Sequence, residues 1–182
     1  MTYDMHGPWE GKTGHHAQFD KAPSDADHYA NVKSAVQIWI SGGADKKKLI
    51  LGIPLYGNTF TLADPKKHGI GAPAKGPGKP GPRSKQGGFI AYNEMCEFLN
   101  SGNWTEEEDK IIGFYSHNGD QWSCYDPPMM VVRKAKYVVE SGLGGVLLKD
   151  LSTDDFEGNC FHMPFPLTKM ARMEIIHKVK RL

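Results

Sequence analysis

At 182 residues, with 39% apolar and 24% charged residues, the chain is long enough for a domain with its own core and has the makeup of a globular protein, not of a disordered tail. A net charge of +1 without any sustained basic run excludes an electrostatic footprint for nucleic acid. No apolar stretch approaches the roughly 20 residues needed to cross a bilayer, so no membrane partner is read, and the opening MTYDMHGPWE has neither the basic end nor the apolar centre of a signal peptide.

Met1 to Asp4 reads as a buried strand with Tyr3 and Asp4 at its far end. Gly7 to Asp27 is aperiodic and rich in Gly, His, Pro and Asp, the composition of a long surface loop. His6, His15 and His16 lack the i, i+4 spacing of a metal pair and read as solvated loop histidines. Tyr29, Val32, Val36, Trp39 and Ile40 follow helical spacing, which predicts a helix over Asp27–Ser41, capped by Asp25 or Asp27 and ended by Gly42-Gly43. The apolar run Lys48–Pro54 suits a parallel strand buried on both faces.

Gly57 to Gly88 is dense in Gly and Pro and is read as an excursion, because Phe60–Leu62 and Phe89–Tyr92 on its flanks look like strands that would pair. Tyr92–Asn100 follows as a short helix and Trp104–Lys110 as an acidic loop. Ile111–Ser116 and Gln121–Tyr125 alternate like a hairpin closed by an Asn-Gly turn. Met129–Ser141 is a helix with Val131, Ala135, Val138 and Val139 inward and Lys and Arg outward. Gly144–Phe156 then combines a Gly-Gly turn, a short buried strand and a cluster of carboxylates, and acids just past a strand's end are where βα-barrels keep their chemistry. Phe161–Pro166 is extended, and Leu167–Val179 is a helix with Met170, Met173, Ile176 and Val179 inward. Three cysteines allow at most one internal disulfide and have no zinc spacing. Asn103-Trp104-Thr105 is a glycosylation sequon.

Several stretches, in order, resemble glycoside hydrolase family 18, the chitinases and chitinase-like lectins. MTYDMHGPWEG is similar to the family's sixth barrel strand, LGIPLYGNTF to the seventh and GLGGVLLKDLSTDDFEGNC to the eighth. GIGAPAKGPG, AYNEMC and GDQWSCYD look like its small α+β insertion domain. The resemblance implies an α/β fold: a partial (β/α)8 TIM barrel, its last three βα units, with an inserted α+β domain. The implied division is 1–60 for strands six and seven, 61–126 for the insertion domain and 127–182 for the last helix, strand eight and the final helix.

The family's substrates are chitin and N-acetylglucosamine oligomers, hydrolysed with retention by substrate assistance and without a cofactor or metal. By motif, Tyr3 would hydrogen-bond the substrate acetamido group, Asp4 would bind a sugar and Met1 would line the site floor. Tyr56 and Glu94 match cleft and insertion-domain positions, for which structural support is the other reading. Lys149 replaces a tryptophan platform, Asn58 an arginine and Cys124 a glycine, Cys124 being a free thiol or a small buried residue. Asp154 and Asp155 are implied to organise the loop beyond that platform. A Cys96–Cys160 disulfide and a glycan at Asn103 are implied with an extracellular location.

The pattern D-x-x-D-x-D-x-E, whose glutamate is the family's general acid, does not occur in these residues. The expectation is therefore a carboxy-terminal part of a chitinase-like protein that does not itself hydrolyse chitin, with a non-catalytic lectin or a partial gene product as alternatives. Three parallel strands cannot close a barrel, so a missing barrel half or self-association is expected.

Overall fold

The computed structural model describes residues 1–22 and 27–179, with side chains described as far as residue 176. The first 22 residues run without a strand; only Pro8–Glu10 forms a single 3-10 turn. The strand expected over Met1–Asp4 is absent, and the segment meets Gly52 through a side chain instead, Thr2 Oγ1 donating to the Gly52 carbonyl at 2.5 Å. Asp4 then adopts φ 57° and turns the chain away. The three loop histidines are buried, not solvated.

α1 (Val32–Ser41) begins later than its apolar spacing predicts. Asn31 is its cap, the side-chain oxygen accepting from the Ser34 N–H at 2.8 Å; Asp25 lies outside the described residues. Val32 and Val36 face the core, while Tyr29 and Trp39 stay exposed. β1 (Ile50–Pro54) and β2 (Tyr56–Leu62) follow almost without a break. β3 (Ala74–Pro77), β4 (Phe89–Ala91), α2 (Tyr92–Asn100), β5 (Thr105–Asp109), β6 (Gly113–Asn118) and β7 (Gln121–Tyr125) come next. α3 (Pro128–Glu140), β8 (Gly145–Lys149) and α4 (Pro166–Val179) complete the order.

Two sheets result. β1 and β8 pair in parallel, Ile50 opposite Gly145 through Pro54 opposite Lys149, with α3 supplying the crossover helix. The second sheet is antiparallel in the order β3-β2-β7-β6-β5, and β4 also pairs with β2. Sequence alone missed β3, inside the Gly/Pro run, and β5, read as an acidic loop. β5 sits at the sheet edge, where charges are tolerated, and its carboxylates have partners: Tyr125 donates to Glu106 at 2.6 Å and Tyr115 to Glu107 at 2.7 Å.

Leu51, Ile53 and Leu55 pack with Val36, Met130, Val131, Val138, Leu167 and Ala171 in the larger core. Phe60, Leu62, Tyr115, Trp122 and Cys124 form a second core within the antiparallel sheet. Burial of each large apolar side chain contributes about 1.5–3 kcal/mol. Other expectations need correction. β8 is only half-buried because, among the described residues, β1 is its single strand partner. Residues 161–165 make turns and bends, with His162 and Phe165 at positive φ. On α4, Leu167 and Ala171 face inward while Met173 is exposed; Val179's side chain lies outside the described set. Lys134 on α3 is fully buried instead of facing water.

Candidate functional site

Where β1 runs into β2 and β8 ends, an open cleft of about 500 Å³ is lined by Asp4, Trp9, Tyr56, Asn58, Phe89, Lys149 and neighbouring residues. Tyr56, first residue of β2, donates its hydroxyl to Asp4 Oδ2 at 2.8 Å. His16 Nδ1 lies 3.4 Å from the other carboxylate oxygen. The His16 contact, together with the Tyr56 hydroxyl, holds the Asp4 carboxyl below the usual carboxylate range against the opposing effect of burial. Burial, then the hydrogen bond to Asp4, pushes the Tyr56 hydroxyl far up, so it remains a proton donor.

Tyr3 stands edge-on to Tyr56 with ring centroids 6.2 Å apart. Its pKa is raised by burial and by the charge of Asp4. Asn58, where an arginine was expected by resemblance, turns its amide inward to donate to the His6 carbonyl at 3.0 Å. Lys149 is exposed on the cleft wall, at the β8 end where the tryptophan platform would stand.

Two candidate residues stand elsewhere. Met1 is 94% exposed and borders a separate hollow of about 260 Å³ beside α1, shared with Trp39 and Leu143. It is not among the residues that line the cleft. Glu94 is fully buried at the start of α2. Burial alone would raise its pKa, but backbone N–H groups of Arg83, Ser84 and Ala91 donate to it and hold it lower. Glu94 thus fixes the loop before β4 and caps α2.

Asp154 and Asp155 are also buried organisers. Asp155 accepts from the N–H groups of Gly158, Asn159 and Cys160, and Asp154 accepts from Leu167 and Thr168 at the start of α4. Cys96 on α2 and Cys160 are joined by a disulfide. Cys124 is a free, fully buried thiol pushed up to about 12 by desolvation, so it is not a nucleophile.

Sequence reasoning missed Trp9 and His16. Trp9 is 67% exposed at the cleft mouth, its ring lying over Gly7, where any Cβ would come within 2.1 Å of it. An exposed tryptophan beside a Gly-Pro pair was the available signal. His16 carried none, because its burial depends on Tyr56, 5.0 Å away ring to ring, and on Cys124. Among the described residues, two groups have donors close enough for a metal ion. Cys96, Asp155 and Cys160 are committed to the disulfide; His68, Glu107 and His117 lie outside the cleft lining.

This geometry agrees with a family comparison in which the model described as glycosyl hydrolases family 18 matches residues 1–154. The chain belongs to glycosyl hydrolase family 18. It is 41% identical over 169 residues to "Probable chitinase 10" of Drosophila melanogaster, covering 92% of this chain and 7% of that protein. Catalytic domain 2 of the Ostrinia furnacalis Group II chitinase superposes with a TM-score of 0.94 at 36% identity, covering 97% of this chain and 47% of that one. Human YKL-39, described as a pseudo-chitinase with retained chitooligosaccharide binding properties, superposes with a TM-score of 0.91 at 35% identity, covering 96% and 49%. The chain thus spans less than half the length of the family 18 proteins it matches, which include both chitinases and a pseudo-chitinase.

Proposed function

We propose that the chain is the carboxy-terminal part of a secreted chitinase-like protein whose cleft binds chitin or N-acetylglucosamine oligomers, and that these 182 residues do not hydrolyse them. The observation that carries the reading is the Tyr56–Asp4 hydrogen bond on the cleft wall, with Trp9 offering a flat apolar face nearby. A charged carboxylate held by a tyrosine accepts from sugar hydroxyls, and an indole face stacks on a pyranose. Tyr3, beside Tyr56, is assigned to the acetamido group.

In the longer protein this group's oxygen attacks the anomeric carbon while a general acid, absent from these residues, protonates the leaving oxygen. Asp4, Tyr3 and Tyr56 contribute binding and positioning. β1 and β8 are read as strands seven and eight of a (β/α)8 barrel, 61–126 as the insertion domain between 1–60 and 127–182. Extracellular location is supported by the Cys96–Cys160 disulfide and by the exposure of Asn103.

A non-catalytic lectin is the second reading, and Lys149 favours it. An ammonium cannot replace an aromatic platform for a pyranose, a loss of about a few kcal/mol. Calorimetric titration with N-acetylglucosamine oligomers tests the proposal. Saturable binding weakened roughly tenfold by Asp4→Asn is expected, about 1.4 kcal/mol, with no cleavage products from this chain. Product release from the 182 residues, or binding indifferent to Asp4→Asn, overturns it. In the longer protein, activity restored by Lys149→Trp selects the enzyme reading, and a lasting lack of activity selects the lectin.

A further inference from the structure

The antiparallel sheet carries a second constellation that the cleft does not use. Glu107 on β5 pairs with Tyr115 on β6, and Thr105 with His117, so Glu107, Tyr115 and His117 share one sheet face. Trp122, opposite His117 on β7, donates its indole N–H to the His68 carbonyl at 2.9 Å and so brings the loop after β2 over this face. His68 Nδ1 and His117 Nε2 then stand 3.0 and 3.1 Å from the same oxygen, Glu107 Oε1. All three donor atoms lie within 4.8 Å of one another. Tyr115 binds the other oxygen, Oε2, at 2.7 Å, which fixes the carboxylate and leaves Oε1 turned toward the imidazoles.

A hydrogen-bonded His–Glu–His cluster does not account for this arrangement completely. His68 Nδ1 is a buried atom with no hydrogen-bond partner, although Glu107 Oε1 is only 3.0 Å away, because the contact is misdirected for an N–H donor. The imidazoles stack with centroids 3.8 Å apart and planes inclined by 20°. Two imidazoles and a carboxylate, oriented by a tyrosine hydroxyl, make a donor set suited to a transition metal. A tetrahedral zinc ion with bonds of about 2.0–2.2 Å spaces its donors about 3.3 Å apart. Coordination requires the two rings to turn out of their stack so that both in-plane lone pairs point at one ion.

We propose that His68, Glu107 and His117 form a binding site for a zinc-like divalent transition-metal ion on the antiparallel sheet, independent of the sugar cleft. Three protein ligands leave the fourth position to water, and the partial exposure of all three residues gives the ion a path. Bound metal would tie the loop after β2 to the β5–β6 edge.

The test is calorimetric titration of the whole 182-residue chain with zinc chloride, alongside imidazole NMR of the same protein. One-to-one binding is expected, with the His68 and His117 resonances shifting and His28 unmoved. His117→Ala and Glu107→Gln should each weaken it roughly tenfold or more, and His28→Ala should not. His68→Ala, in a loop outside the sheet ladder, gives the same readout should a strand variant fail to fold. The proposal is overturned if no saturable binding occurs, or if zinc shifts other histidines and leaves these two unchanged. None of these outcomes depends on oligosaccharide binding, so the site stands or falls separately from the cleft.

Discussion

Asp4 occupies a left-handed backbone conformation that costs a residue with a side chain of order 1–3 kcal/mol. Tyr56 and His16 hold its carboxylate from either side and keep the chain in that conformation. Tyr56→Phe removes one donor and should raise the Asp4 pKa toward the ordinary value of about 3.9, as read by carboxyl NMR over a pH series. The sign follows from linkage. A depressed folded-state pKa contributes stability that is present above the unfolded value, about 4, and lost as pH falls through the folded one. The variant should therefore have a smaller contribution, whose loss starts at the same unfolded value but is complete at a higher pH than in the parent; an unchanged Asp4 pKa would show that the hydrogen bond is idle. Asp4 and Tyr56 were legible because each sits in a family-like motif, YDMHG and LYGN. His16 was not, since its neighbours in sequence are loop residues and its burial comes from groups far along the chain. By resemblance Glu94 is a substrate-binding candidate at an insertion-domain position with structural support as the other reading, and only the folded loop 81–91 shows that its oxygens are spent on backbone donors.

The joint between β7 and α3 turns on a residue that helical periodicity assigned to water. Lys134 lies one turn from Val131 and beside Ala135, on the inward face of α3. It is admitted there because Asp126, just after β7, pairs with its ammonium and the Ala17 carbonyl accepts from it at 2.7 Å. Burial pulls the Lys134 pKa down while Asp126 opposes that shift. Lys134→Met leaves a buried carboxylate without its partner and should cost about 3–5 kcal/mol, whereas adding Asp126→Leu should recover most of the loss. Urea unfolding of the single and double variants measures both, and a single-variant cost below about 1 kcal/mol would mean that the pair does not hold the joint. The same limit of local pattern explains β3 and β5. Gly, Pro and Glu disfavour strands by themselves, and it is pairing with β2 and β6 that makes those segments extended. Helices α2 and α3, with continuous apolar faces, need no such help and are legible to within a residue of their ends.

The two sheets are unequal in what they can support. The antiparallel sheet closes over its own core of Phe60, Leu62, Tyr115, Trp122 and Cys124, and the Cys96–Cys160 link closes a 64-residue separation worth about 4 kcal/mol in the chain-entropy account. β1 and β8 have only each other among the described residues, and two parallel strands are too few to be stable in water on one face. Ile50 and Leu147 are about half exposed along that pair, and Trp39 stands out from α1 beside the hollow that Met1 borders. An apolar surface of this kind, next to bare strand edges, recruits another surface. Sedimentation velocity of the 182-residue chain should show a weight-average mass that rises with concentration, and Leu147→Glu should shift it back toward monomer. Hydrogen exchange should divide along the same line, with amides of β2, β6 and β7 protected and those of β1 and β8 exchanging early, since the second pair lacks the neighbours that slow opening. A strict monomer at all concentrations, melting in one sharp transition with both sheets equally protected, would mean that the short parallel pair is stabilised sufficiently by α3 and α4 alone.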